Sequence, residues 1–203
     1  MGMTKYRGPV SIGLRDVCYA MITKDDETGT VYETKESTVA VKGVAGAIDA
    51  TITPSSENTP LYADDGTFAE ITSLGDVSIA LELASLPDDV QVDWFGHQRD
   101  EDGVLVKGAD DTARHFALGF KSQNHDKTFK YVWVYKALAS LPENAHHTKE
   151  GSSVTMQTQK VTISCSPRLS DGKWMASVNS GAEGASADVI SKWFEKPYEK
   201  ATV

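Results

Sequence analysis

Val77, Ile79, Leu81 and Leu83 alternate with Ser78, Ala80, Glu82 and Ala84, and this two-residue period constrains the chain more than any other feature of its sequence. Successive side chains of a strand point to opposite faces, so the period sets one apolar face on a core and leaves the other open. Phe116, Leu118 and Phe120 repeat the pattern. Tyr131, Trp133 and Tyr135 against Val132, Val134 and Lys136 are apolar on both faces, which predicts a strand covered twice. Val161, Ile163 and Cys165 alternate with Thr162 and Ser164, whereas Val154 and Met156 fall on the opposite parity, and a bulge near residues 157–160 would reconcile the two sets. Further strands are expected over 17–23, 30–34, 44–53 and 173–178. So many short strands predict a mainly β chain, a sandwich or a partial barrel.

Two helices are expected. The first spans 87–96: it opens on Pro87, Asp88 and Asp89, where the helix dipole favours anions, and closes at Gly96. The second spans 186–195, capped by Ser186 and carrying Val189, Ile190, Trp193 and Phe194 before Pro197. Trp94 and Trp193 are read as core anchors because each shares its stripe with other apolar residues. Residues 54–73, rich in Ser, Thr, Pro, Asp and Gly, read as a long loop between two strands, an extended excursion too long to be a tight turn. Residues 1–11 read as an arm and 186–203 as a C-terminal helix and tail. No repeat or linker divides the 203 residues, so a single domain is expected.

Charge is distributed unevenly. Residues 54–102 carry 12 carboxylates and one base, Arg99, while the remainder holds 17 acids against 19 bases. No basic run exists to displace counterions from a phosphate backbone, which excludes tight nucleic-acid binding. The acids form either a solvated surface or one that repels polyanions. No apolar stretch is long enough to cross a bilayer and the N-terminus lacks a secretion-type segment, so a soluble protein without membrane contact is expected.

Nucleophile-elbow, phosphate-loop, metalloprotease and dinucleotide motifs are absent, and no catalytic set or cofactor is expected. Asp64-Asp65-Gly66 and Asp100-Glu101-Asp102-Gly103 lack the glutamate of a calcium loop and read as turns. His146 and His147 have no third ligand near them, and Cys18 and Cys165 have no Cys or His at metal-ligand spacing, so no metal site is expected and both thiols are read as buried. Trp174 near Asp171 leaves one alternative open, a carbohydrate-binding or adhesin β-sandwich.

Several segments in order resemble the major tail proteins of long-tailed, non-contractile bacteriophages. They are Ile12 to Val17; Leu61-Tyr62-Ala63-Asp64-Asp65-Gly66; Leu83-Ala84-Ser85-Leu86-Pro87; Gly96-His97 leading to Gly103-Val104-Leu105; Ala117-Leu118-Gly119-Phe120; Tyr131 to Lys136; Asp171-Gly172-Lys173-Trp174; and Trp193-Phe194. The similarity runs nearly the full length, and its order and spacing carry it more than any one piece. The His146-His147 stretch and residues 181–187 have no counterpart in the family pattern.

The resemblance implies a structural virion protein rather than an enzyme: a tail tube β-sandwich with a packed helix, assembled in the host cytoplasm into hexameric rings that stack as the conduit for DNA ejection. Its implied partners are itself and the tail tip, tape measure and tail terminator proteins, with genomic DNA passing through unbound. The 54–73 segment is then the inter-ring stacking loop, with Pro54, Ser55, Leu61, Tyr62, Asp64, Asp65, Gly66 and Phe68 as its contact candidates. Asp49 and Glu82, on the face opposite the apolar set, are candidates for the lumen, although alternation alone separates two faces without naming them.

Overall fold

A computed structural model describes residues 8–63, 66–144, 148 and 156–200, and within these leaves aside the side chains of 62, 63 and 66–68. The chain is mainly β. Its strands are β1 (Ser11–Asp26), β2 (Gly29–Tyr32), β3 (Thr34–Lys35), β4 (Thr38–Val39), β5 (Val41–Gly43), β6 (Ala47–Ala63), β7 (Gly66–Leu83), β8 (Gln98–Arg99), β9 (Leu105–Val106), β10 (Phe116–Asn124), β11 (Phe129–Ala139), β12 (Gln159–Cys165) and β13 (Met175–Asn179). Nine of them form one antiparallel sheet in the order β2-β1-β10-β11-β12-β7-β6, with β5 added beside β1 and β13 beside β11. The pairs β3-β4 and β8-β9 are separate ribbons.

The sheet curls around its own core. Val77, Ile79, Leu81 and Leu83 of β7 and Val161 and Ile163 of β12 share one buried cluster with Val17, Tyr19 and Met21 of β1, Phe116, Leu118 and Phe120 of β10, and Val132 and Val134 of β11. Both halves of the sheet therefore line the same interior, the sandwich-like arrangement that the alternation predicts. A second cluster lies on the other side of β1, β10 and β11, built from Cys18, Ala20, Ala117, Trp133, Tyr135 and Trp193. The doubly apolar run 131–136 is doubly covered for this reason. By contrast β6, β7 and β12 are covered on one face only: their outward residues Thr51, Thr53, Ser78, Ala80, Thr162 and Ser164 are all exposed.

Helix α1 (Asp88–Phe95) keeps the predicted limits, with Pro87 at its N-cap and Gly96 at its C-cap in the left-handed region at φ +74°. The Gly96 N–H donates to the carbonyl of Val92 at 3.1 Å, closing the last turn. Trp94 stacks on Phe116 with ring centroids 4.5 Å apart and meets the edge of Tyr19. The Tyr19 hydroxyl donates to Asp93 at 2.6 Å and Lys42 Nζ to the same oxygen at 2.7 Å, fixing the polar side of the helix to β1 and β5. A Cβ on residue 96 would sit 2.5 Å from the backbone oxygen of Thr112 as well as in the left-handed region. Gly96→Ala is therefore expected to cost about 1–3 kcal/mol, read as a lower urea midpoint with an unchanged slope.

Several boundaries depart from expectation. The strand foreseen at 44–53 starts only at Ala47, because Gly46 turns through φ +81° and gives its carbonyl to Ala84 N–H. The strand at 30–34 is β2, with Thr34 pairing in the separate β3-β4 ribbon. No bulge is needed at 157–160, since β12 begins at Gln159, keeps unbroken register with β7, and leaves Met156 89% exposed before it. The second helix, α2 (Ala187–Ser191), is half the expected length. Its cap is as predicted, Ser186 Oγ accepting from Val189 N–H, but the carbonyl of Trp193 accepts from the indole of Trp133 at 2.7 Å instead of continuing a helix. The remainder of the tail is a strap, and no membrane-length apolar helix occurs among the described residues.

The C-terminal strap is pinned to the second cluster. Trp193 stacks on Tyr198 at 5.3 Å, and the Tyr135 hydroxyl donates to the carbonyl of Tyr198 at 2.6 Å. Arg168, buried and lying over the Tyr135 ring, forks onto both oxygens of Asp171 and reaches Glu199 at 3.0 Å. Burial alone would raise the Asp171 carboxyl, but Arg168 and the Lys173 N–H and ammonium outweigh it and hold it down to about 2. Because the folded value is depressed, the contribution is whole above the ordinary 3.8 and is lost as the pH falls toward about 2. Hydrogen-exchange protection of residues 193–199, relative to the intrinsic rate at each pH, is expected to fall across that window, and Asp171→Asn to show the lowered protection already at neutral pH.

Candidate assembly surface

The described residues of 54–73 are not a loop. Residues 54–63 and 66–73 are the outer part of the β6 and β7 strands, paired from Pro54 and Val77 out to Ala63 and Gly66. Slips in register fall between Pro54 and Ser56 and between Leu61 and Tyr62, marking the root and the tip. At the root a Cβ on Gly75 would lie 2.6 Å from Ser55 Oγ, which itself donates to the carbonyl of Asp76 at 2.8 Å. Glycine there lets the two strands cross closely where the hairpin leaves the sheet.

Beyond that root the described part of the hairpin is open to solvent. Every described side chain from Thr53 to Leu61 and from Ala69 to Asp76 is exposed, on both faces of the ribbon. Thr59 lies opposite Ile71 and Leu61 opposite Ala69, so Leu61, 59% exposed, and Ile71, 71% exposed, share one face in a diagonal pair. Asn58, Pro60, Glu70 and Thr72 occupy the other face, held partly by a Thr72 to Asn58 side-chain bond. Of the expected contact residues, Pro54, Ser55 and Leu61 lie on β6 and Gly66 opens β7. The side chains of Tyr62 and Phe68, and residues Asp64 and Asp65 entirely, lie outside the described residues. Reading the segment as a loop missed Ala69, Ile71 and Leu74, the return strand that supplies half of the surface.

The strand edge is open as well. Among the described residues β6 pairs only with β7, so the outer edge of a 17-residue strand carries no ladder, although its start lies near β1. Pro54 and Pro60 sit on this strand and each lacks a backbone donor, a placement tolerated on edges.

Asp49 and Glu82 stand directly opposite each other on the exposed face, and Lys160 lies opposite Glu82 on the far side. Two like charges in register are unfavourable unless each finds a donor. Asp49 accepts from Thr51 Oγ1 at 2.9 Å; Glu82 accepts from Thr158 Oγ1 at 2.6 Å and lies 3.7 Å from Lys160 Nζ. The next rows across β6, β7 and β12 are Thr51, Ala80, Thr162 and Thr53, Ser78, Ser164, all short side chains. The result is a smooth polar wall with one charged row.

The other sequence candidates take structural places. Asp100 Oδ1 accepts from the N–H groups of Asp102 and Val104, which is turn chemistry. Both cysteines are free and buried, and burial pushes both thiols up to about 12. Trp174 packs partly against the main core, and Asp171 is bonded to Arg168 and Lys173. His146 and His147 lie outside the described residues. Among the described residues no three His, Cys, Asp or Glu side chains are grouped to hold a metal ion. The chain matches no protein-family model and no curated protein.

Proposed function

We propose that the chain is a self-assembling structural subunit of a bacteriophage tail tube, forming hexameric rings that stack into a conduit for DNA. The observation that carries this reading is the projecting half of the β6-β7 hairpin, exposed on both faces. A two-stranded ribbon alone is marginally stable in water and needs a third strand or a packed face. Among the described residues none supplies either, so another copy is the economical partner. Leu61, Ala69 and Ile71 would meet the next ring, and the ladderless edge of β6 would be covered by a neighbour within the ring. The full cast of tail tip, tape measure and terminator proteins follows from the resemblance alone.

The wall of Ser, Thr and Ala suits a lumen because short neutral side chains offer passing DNA little to grip. One acidic pair per copy, partly offset by Lys160 beside Glu82, adds repulsion that salt limits to a range of about 8 Å. Asp49→Lys with Glu82→Lys is expected to slow DNA release from reconstituted particles by severalfold at low salt and to lose that effect at high salt; release kinetics unchanged at both salts would remove this face from the lumen. For the assembly itself, static light scattering at rising concentration should report growth well beyond the monomer mass, and a constant 22.0 kDa would overturn the reading.

A further inference from the structure

Although the chain carries a net charge of −9, a cleft at the end of β1 is lined by more basic than acidic side chains. The cleft, of about 290 Å³, lies where the end of β1, the approach to β10 and the middle of β11 meet, and its charged lining is Lys24, Asp25, Arg114, His115 and Lys136. Asp25, the one carboxylate in it, is already consumed: it accepts from Lys136 Nζ at 2.6 Å and from Thr30 Oγ1 at 2.8 Å, and its side chain is 7% exposed. Lys24 leans outward to Asp26. The guanidinium of Arg114 makes no ion pair or hydrogen bond among the described residues, and neither does the imidazole of His115. Their backbones are nonetheless fixed, since Arg114 N–H donates to the carbonyl of Trp94 and Ile22 N–H donates to that of His115, both at 2.9 Å.

We infer that this cleft binds a compact oxyanion of the phosphate-monoester type, with Arg114 and His115 as its free donors, the Arg114 guanidinium as its uncompensated positive charge, and the Lys136–Asp25 ion pair as the wall behind them. A planar guanidinium offers paired N–H groups matched to two oxygens of such an anion. His115, half buried, is kept neutral in the empty cleft chiefly by burial, with the nearby Lys136 ammonium adding to the effect and Asp25 opposing it. An arriving anion reverses the balance by favouring the imidazolium, which gives the ligand a second charged donor. Binding and protonation of His115 are thus linked, and the histidine reports occupancy. The charged groups facing it are Lys24, Asp25, Arg114 and Lys136, with Asp26 on the outer side of Lys24. The cleft is separate from the hairpin and the polar wall, so its test does not depend on the tube reading.

Two-dimensional NMR of the imidazole signals, with His115 identified by its loss in His115→Gln, tests this on the full chain. Inorganic phosphate is added at constant ionic strength against potassium chloride. The expected result is a saturable shift of the His115 signal and an upward move of its titration midpoint, both about tenfold weaker in Arg114→Gln, a change at an exposed position. The same response to chloride, or an equal response in Arg114→Gln, overturns the site. A short single-stranded oligonucleotide without terminal phosphate, which presents phosphate only as the diester, is the second arm. It should bind more weakly than inorganic phosphate, and tighter binding would overturn the assignment to a compact dianion.

Discussion

Trp133→Ala is expected to lower stability by about 3–5 kcal/mol and the melting temperature by on the order of 10 °C. The indole is fully buried, and it fills the space over Gly119 so closely that a Cβ there would sit 2.8 Å from its ring carbons. It also meets Phe194 edge to face and donates its N–H to the Trp193 carbonyl. Truncation removes the packing and orphans that carbonyl, so the strap should loosen before the sheet melts. Trp133→Phe, which keeps most of the volume but not the donor, should lose less stability while still accelerating exchange in residues 193–199. An unchanged melting temperature for the alanine variant would contradict a second core on this face of the sheet.

Excising residues 55–76 and closing the strands with an Asn-Gly turn between Pro54 and Val77 is expected to leave a folded monomer and abolish tube growth. Among its described residues the removed half contributes no buried side chain, so the melting point should move by only a few degrees, whereas the apolar pair Leu61 and Ile71 and the projecting edge vanish together. A two-residue type I′ turn matches the twist of the strands it joins, and both Pro54 and Val77 keep their places in the sheet. A milder change, Leu61→Asp with Ile71→Asp, should raise the concentration needed for assembly at least tenfold without touching the fold. Electron micrographs showing tubes of ordinary length from either variant would remove the hairpin from the stacking contact.

The part of this architecture that was legible in the sequence is the part where one face is buried and the other is not. Residues 77–83 and 161–165 alternate because the core demands it, and 131–136 read as doubly covered because a second cluster lies behind them. Helix α1 was legible from its caps, Pro87 and Gly96. The outer hairpin was not, and for a physical reason: with both faces exposed, no burial imposes a period, and Ser56, Glu57, Asn58 and Thr59 read as a polar loop even though each lies in register with a residue of β7. The short α2 was missed because the partner of the Trp193 carbonyl lies 60 residues away in the chain. Parity did place Asp49 and Glu82 on one side of the sheet. It could not reveal that they are direct neighbours, since that depends on a register set by the bulge between Ala47 and Asp49.

Electron microscopy of the concentrated wild-type protein, in side and end view, bears most directly on whether copies of this chain complete one another. Hollow filaments with six-fold end views and a stain-filled centre are the predicted image. A field of separate, solid particles at every concentration would show that the ribbon and strand edge stay bare, and the tube reading would fall with them.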